Sequence, residues 1–372
     1  MMRPGDEMWG PSPLPAQGEA DGPTSVDEVG ELGRALGPAL HEACGDRLGE
    51  IEWFSTPWQR SGAATGRTYW RLPSGEVIDA IAKVPVGYRE WYWSTKLGET
   101  DPMWWESPEA EHLPVPRVLS AGTELGGYDV AWLIVERVSG GSLHKALDSG
   151  GSTAAAALGR VFDAAARFHA MAAELRTPTA DDAASRRDWP GLIERAARLV
   201  RDNPIADQSR WLEMIGRVGE SLDGLVYRWR SRSMETWCHG DLHPGNVLTR
   251  HTQTHRIFGP ELTDPVSDLD EGVLIDLGLV HSGHWVEDAL YLERLYWGQP
   301  EGLGGVDPVA ALAQARSRLG LRADVGEAEE IAVVRRVLMA ATSPAFLTSE
   351  GHPEYLAAAL DRLTGAGRAG LI

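Results

Sequence analysis

Apolar positions along the chain follow two different patterns, and the change between them falls near residue 140. From Ile51 to Val138 the apolar stretches are short and strand-like: IEWF, TYWRL and VIDAIAKV, with a Pro73-Ser74-Gly75 turn between the last two. Runs of this length bounded by turn residues predict an antiparallel meander. A helix is expected at about 88–96, and two further strands at about 117–123 and 129–136, separated by Gly126-Gly127. After Gly140-Gly141 the chain becomes rich in alanine and leucine. Helical periods then recur near 152–175, 189–201, 207–232, 285–298, 308–319, 327–341 and 353–364. Two short apolar runs interrupt them, Asn246-Val247-Leu248 and Val273-Leu274-Ile275, each beside a polar cluster.

Residues 1–24 are rich in Pro, Gly and acidic side chains without an apolar period, so a disordered leader is expected there. Ser25 and Glu28 have capping-box spacing, and Val29, Leu32, Leu36 and Leu40 follow at helical intervals. A helix should therefore precede the first strand, with Gly37-Pro38 placed to kink or split it. The expected organisation is α+β: a leader at 1–24, a sheet-bearing N-terminal lobe at 25–138, and a mainly helical C-terminal lobe at 139–372. No internal repeat at solenoid periods is present.

Composition narrows the partners. With 43% hydrophobic residues the chain can bury a sizeable core, and 35 basic against 54 acidic residues give a formal net charge of -19. Such a field repels phosphate backbones and anionic lipid surfaces, so neither nucleic acid nor membrane is expected as a partner. It suits a cationic substrate; the alternative is a solubilising acidic surface. Cys44 and Cys238 are far apart and lack metal-ligand spacing, which fits a reducing cytoplasm. The start lacks the apolar core of a signal peptide, and no later run resembles a membrane helix, so a soluble cytoplasmic protein is expected.

The strongest chemical signal is the string His239-Gly240-Asp241-Leu242-His243-Pro244-Gly245-Asn246, in which a carboxylate precedes a carboxamide by five residues. Phosphoryl transfer needs a carboxylate to accept the proton of the attacking hydroxyl and an oxygen ligand to help hold the metal that bridges the phosphates. Asp241 suits the first role and Asn246 the second. Because Mg²⁺ favours carboxylate ligands as well, a second acid is required. Asp276 supplies it at the end of the apolar run Val273-Leu274-Ile275.

These motifs resemble the aminoglycoside-phosphotransferase and choline-kinase branch of the protein-kinase-like fold. The resemblance covers roughly residues 50–300. It implies a bilobal fold with a small antiparallel N-terminal sheet, Mg²⁺ as cofactor, and ATP or GTP as phosphoryl donor. His243 stands where ordinary protein kinases carry a lysine, and Asp276 matches the kinase metal-binding aspartate. The resemblance further implies that Lys83 on the VIDAIAKV strand contacts the α- and β-phosphates and that Glu90 orients it, with Glu99 and Glu106 as alternatives. Ser61, Gly62, Thr65 and Gly66 are candidates for a phosphate loop, an ordinary hairpin turn being the alternative. Backbone groups from Glu136 to Val138 would meet the purine edge. His239, His243 and Asp288 are implied as supporting residues, Asp288 bracing the catalytic segment, while His169 is read as a core or helix-end histidine.

The stretch between Leu248 and Val273 is longer than the tight hairpin usual in this branch; it reads as a surface insertion, the alternative being that its acids Glu261, Asp264, Asp268, Asp270 and Glu271 guide a cationic substrate or a partner. The leading expectation is transfer to a hydroxyl of a small molecule, such as an antibiotic or other secondary metabolite, with a cationic acceptor suggested by the acidic balance. The alternatives are a kinase acting on Ser or Thr of a peptide and a nucleotide-binding scaffold without turnover.

Overall fold

A computed structural model describes residues 26–54, 63–98, 113–147, 151–184, 187–251 and 271–372. The chain divides into two compact units. Of the described residues, one unit comprises those within 26–145 and 244–280, and the other those within 146–243 and 281–372. The segment Pro244–Val280 thus belongs with the sheet-bearing unit, although it follows the first helices in sequence.

In the sheet-bearing unit, β1 (Glu52–Phe54), β2 (Ala64–Arg71), β3 (Val77–Val84), β4 (Val118–Gly122) and β5 (Trp132–Glu136) form one antiparallel sheet in the order β1-β2-β3-β5-β4. The two-residue period decides which side chains go inward. In β2, Ala64, Gly66, Thr68 and Trp70 are buried, and in β3, Ala80, Ala82 and Val84 are buried, while their neighbours point the other way. One core gathers Trp70, Ala80, Ala82, Val84, Trp132 and Ile134 with Leu40 and Cys44 of α1 (Val26–Cys44). A second cluster joins Val86, Val118 and Leu133 to Trp91 of α2 (Tyr88–Gly98). The register pairs Lys83 with Leu133, so Lys83 lies on the α2 side of the sheet. Helix α1 runs unbroken through Pro38, so the kink or split expected at Gly37-Pro38 does not divide it.

The expected loop between the first two strands needs correction over its second half. Strand β2 begins at Ala64, so Thr65 and Gly66 are ladder residues paired with Phe54 and Trp53 on one side and with Lys83 and Ala82 on the other. Ser61 and Gly62 lie outside the described residues. Gly66 is small because a Cβ there would sit 2.3 Å from Ile51 Cγ2. Gly66→Ala should destabilise the protein by about 1–3 kcal/mol through overpacking. Ile51→Ala in the same chain should recover part of that loss in a urea melt; no recovery would place the glycine's role elsewhere.

The same unit contains β7 (Val247–Arg250) paired with β8 (Glu271–Leu274), the two interrupting apolar runs of the sequence. Residues 252–270, most of the long stretch between them, lie outside the described residues.

The helical unit contains α4 (Gly151–Leu175), α5 (Trp189–Asp202), α6 (Gln208–Arg230), α7 (Val286–Leu295), α8 (Pro308–Arg318), α9 (Val325–Thr342) and α11 (Pro353–Arg368), with two single turns at His144–Leu147 (α3, in the other unit but for its last two residues) and Leu347–Glu350 (α10). Helix starts use ordinary caps: the side chains of Asp188, Asp307 and Asp324 accept from Gly191, Ala310 and Glu327 N–H groups. Trp211, Trp285, Trp297, Phe162 and Phe168 fill the interior. A strand pair absent from the sequence reading, β6 (Thr236–Cys238) with β9 (His281–Gly283), is wholly buried and leads directly into the His239–Asn246 segment. Among the described residues, no helix is long and apolar enough to cross a membrane.

Candidate active site

In the sheet-bearing unit Lys83 Nζ donates to Glu90 Oε1. Glu90 stands in the first turn of α2 and is buried, and Glu99 and Glu106 lie outside the described residues. Burial works against the charge on Lys83, yet the Glu90 and Asp276 carboxylates together raise its pKa above the ordinary lysine value. The ammonium is therefore present at neutral pH, and the Asp276 carboxylate lies in its electrostatic neighbourhood.

Asp276 and Asn246 are brought together by the β7–β8 pair. Val247 faces Leu274 in register, and Ile275 N–H donates to Asn246 O at 2.9 Å, so the carboxamide residue and the carboxylate residue flank one end of the pair. Asp276 adopts a left-handed backbone, φ 65 and ψ 65, which costs a non-glycine residue energy and which Asp tolerates better than most. A carboxylate and a carboxamide oxygen are the hard donors that Mg²⁺ takes, so this pair fits that ion.

Glu136 closes the last strand of the sheet with its side chain committed to structure. Its carboxylate accepts from Arg117 N at 2.9 Å and Arg117 Nε at 2.7 Å, and also from Arg250. Burial would raise its pKa, but Arg250 and Arg117 hold it below the usual carboxylate range. Its backbone N–H is engaged as well, donating to Arg117 O at 2.9 Å, so neither the side chain nor the N–H of Glu136 is left for a purine edge. Arg117 and Arg250 escaped the sequence reading; the sole signal for Arg250 was a charged residue in the short run after Asn246.

In the helical unit the His239–His243 segment is held from below by Asp288, which is fully buried in the first turn of α7. Its two oxygens accept from His239 N at 2.8 Å and Gly240 N at 2.9 Å, and His169 Nε2 lies 3.0 Å from Oδ2. Arg316 donates to His169 Nδ1 at 2.9 Å, so the imidazole proton sits on Nε2 and points at Asp288. Burial and the Arg316 charge lower the His169 pKa, so the ring is neutral. Burial would raise the Asp288 pKa, but the hydrogen bond from His169, the nearby imidazoles and the Gly240 N–H hold it below the ordinary aspartate value. Gly240 has φ +83, a conformation other side chains rarely adopt.

Asp241 itself is half-buried. Its N–H donates to His239 Nδ1 at 3.2 Å, Tyr291 Oη donates to its Oδ1, and His243 Nε2 lies 3.9 Å from its Oδ2. Tyr291 was not anticipated. The available signal was its position three residues after Asp288, which puts both on one helix face.

Beside this segment lies a cavity of about 230 Å³, lined in part by Gly240, Tyr291, Trp189 and Trp229, and by several arginines. Cys238, His281 and Glu287 also bring ligand atoms within 4.8 Å of one another. Glu287 is paired with Arg232 at 2.9 Å, and burial pushes the Cys238 thiol well up, so this trio reads as a hydrogen-bonded core rather than a cation site.

The architecture is that of the protein-kinase-like fold. A putative aminoglycoside phosphotransferase from Ralstonia eutropha JMP134 superposes with a TM-score of 0.50 at 13% sequence identity, over 88% of this chain and 98% of that one. A choline kinase from Cryptosporidium parvum aligns at 12% identity with a TM-score of 0.46, over 92% and 94% of the two chains. No curated protein matches the chain in sequence. The model of the phosphotransferase enzyme family matches residues 59–259, more than half of the chain, which places the protein in that family. The matched span includes Lys83, Glu90, Asp241 and Asn246. The protein is thus a phosphotransferase of the kinase type.

Proposed function

We propose that this protein transfers the γ-phosphoryl group of ATP, or of GTP, to a hydroxyl of a small molecule with the aid of Mg²⁺. The observation that carries the reading is the loop 239–246 itself. It offers an accessible carboxylate, Asp241, directly after two residues whose backbone N–H groups are pinned by the buried Asp288, in a chain of the phosphotransferase family.

In this reading Lys83, kept charged and oriented by Glu90, meets the α- and β-phosphate oxygens. Asn246 and Asp276 would hold Mg²⁺, which supplies charge neutralisation on the phosphates. The acceptor oxygen forms its bond to the γ-phosphorus as the bond to the β-phosphate oxygen breaks, and ADP leaves. The proton of the acceptor hydroxyl passes to Asp241. Tyr291 fixes the direction of that carboxylate, His243 Nε2 stands 3.9 Å from it, and the Arg316–His169–Asp288 chain fixes the backbone of the two residues before it.

Asp276→Ala should weaken Mg-ADP binding by about 10–100-fold, whereas Asp241→Ala should leave it nearly unchanged. Titration calorimetry with and without Mg²⁺ measures both; equal loss in the two variants would contradict the division of roles. The acceptor class is tested with labelled ATP against a panel of small hydroxyl compounds and of Ser- and Thr-containing peptides. Label in small molecules supports the reading. Label only in peptides would make the protein a peptide kinase, and nucleotide binding with no transfer at all would make it a scaffold.

A further inference from the structure

The cavity beside Asp241 has a charge opposite to that of the chain. Arg187, Arg230, Arg232, Arg294 and Arg335 line it against one carboxylate, Glu287, in a protein with a formal net charge of -19. Glu287 is already engaged: it accepts from Arg232 Nε at 2.9 Å and from His284 N at 2.8 Å. Arg335, half-buried on α9, lies 5.2 Å from the Trp189 ring and 4.7 Å from the Trp229 ring, and its guanidinium has no hydrogen-bond or ion-pair partner among the described residues. Each of those indoles carries a second guanidinium, Arg187 at 5.6 Å from Trp189 and Arg232 at 3.9 Å from Trp229.

Two aromatic faces do not offset the desolvation of a guanidinium held among four other arginines and a single carboxylate that is already paired. Burial and Arg187 push the pKa of Arg335 well below the arginine range; Glu287 opposes the shift, and Arg232 and Arg294 add to it. A planar oxyanion offsets that desolvation, because the guanidinium fork matches carboxylate and phosphate oxygens. A cationic acceptor, the expectation from overall charge, would meet repulsion here. Gly240, which precedes Asp241, and Tyr291, which donates to it, line the same cavity, so the arginines share a space that reaches the immediate neighbours of the base.

We propose that the acceptor phosphorylated by this protein is a hydroxyl compound bearing a carboxylate or phosphate group, and that the arginine-lined cavity holds that anion. The proposal rests on the phosphotransfer reading for the reaction. The anion remains unchanged in that reaction; only the hydroxyl gains the phosphoryl group, with its proton going to Asp241 and ADP leaving.

The test uses the full chain saturated with Mg-ADP at fixed ionic strength, titrated calorimetrically with D-gluconate, D-glucose 6-phosphate, D-glucose and D-glucosamine. At least one anion should bind about tenfold or more tighter than glucose, with glucosamine weakest, and the order of the two anions separates carboxylate from phosphate. Arg335→Gln should remove about tenfold or more of the anion affinity while leaving the affinity for Mg-ADP in place, and Arg335→Lys should restore part of it. Arg230→Gln, at an exposed position, should weaken anion binding in the same direction and keeps the test decisive if Arg335→Gln does not fold. Equal binding of glucose and the anions, preference for glucosamine, undiminished anion affinity in the variants, or displacement of the anions by Mg-ADP would each overturn the proposal. Anion binding without any transfer from ATP would leave the cavity assignment standing and sink the phosphotransfer reading. Transfer to glucose or glucosamine with no anion binding would do the reverse.

Discussion

Asp241→Ala is expected to lower turnover by about 10²–10⁴-fold, the usual contribution of a positioned general base, while thermal stability stays close to that of the parent. The carboxylate is half-buried and reached by Tyr291 Oη, with His243 Nε2 at 3.9 Å, so its loss leaves no buried charge without a partner. The backbone of residues 239 and 240 is held by Asp288 and not by Asp241. Activity and stability should therefore separate cleanly in this variant. A loss of turnover accompanied by a matching loss of folded protein would show that Asp241 is structural. Turnover near the parent value would remove it from the chemistry.

Asp288→Ala should show the opposite separation in its largest effect, a loss of about 3–5 kcal/mol of folding stability. Three donors converge on that carboxylate, from His239 N, Gly240 N and His169 Nε2, and all would be left buried without an acceptor. The pH dependence follows from the depressed pKa of Asp288. A carboxylate held below its unfolded value of about 3.9 contributes its stability in full above that pH and loses it as the pH falls toward the folded value. The stability difference between the parent and Asp288→Asn, measured by urea melts, should thus be largest above about pH 5 and shrink below about pH 4. A difference that grows on acidification would contradict the assigned charge state.

Much of this was legible in the sequence, and the exceptions have physical causes. Long alanine- and leucine-rich periods gave the helices to within a few residues, because a turn of helix repeats often enough to declare itself. The strands of the sheet were legible as short apolar runs. Strands β6 and β9 were not, since three fully buried residues carry no alternation. The segment 61–68 reads as a phosphate loop or a hairpin turn because its residues are small, whereas at Gly66 the small size serves close packing against Ile51. The chemistry-bearing string at 239–246 could be read locally because its residues are contiguous. The Arg316–His169–Asp288 chain could not, since its members come from three helices far apart in sequence. Net charge does not locate charge, for a similar reason. Summing 35 basic and 54 acidic residues conceals that five arginines from four separate segments line one cavity.

Phosphorus NMR of purified protein with Mg-ATP and a set of hydroxyl compounds follows every phosphate species at once and tests the central claim most directly. The expected result is one new phosphomonoester signal per ADP formed, dependent on Mg²⁺ and absent with Asp241→Ala. Release of inorganic phosphate alone, or a phosphomonoester formed equally well by the Asp241→Ala variant, would contradict it.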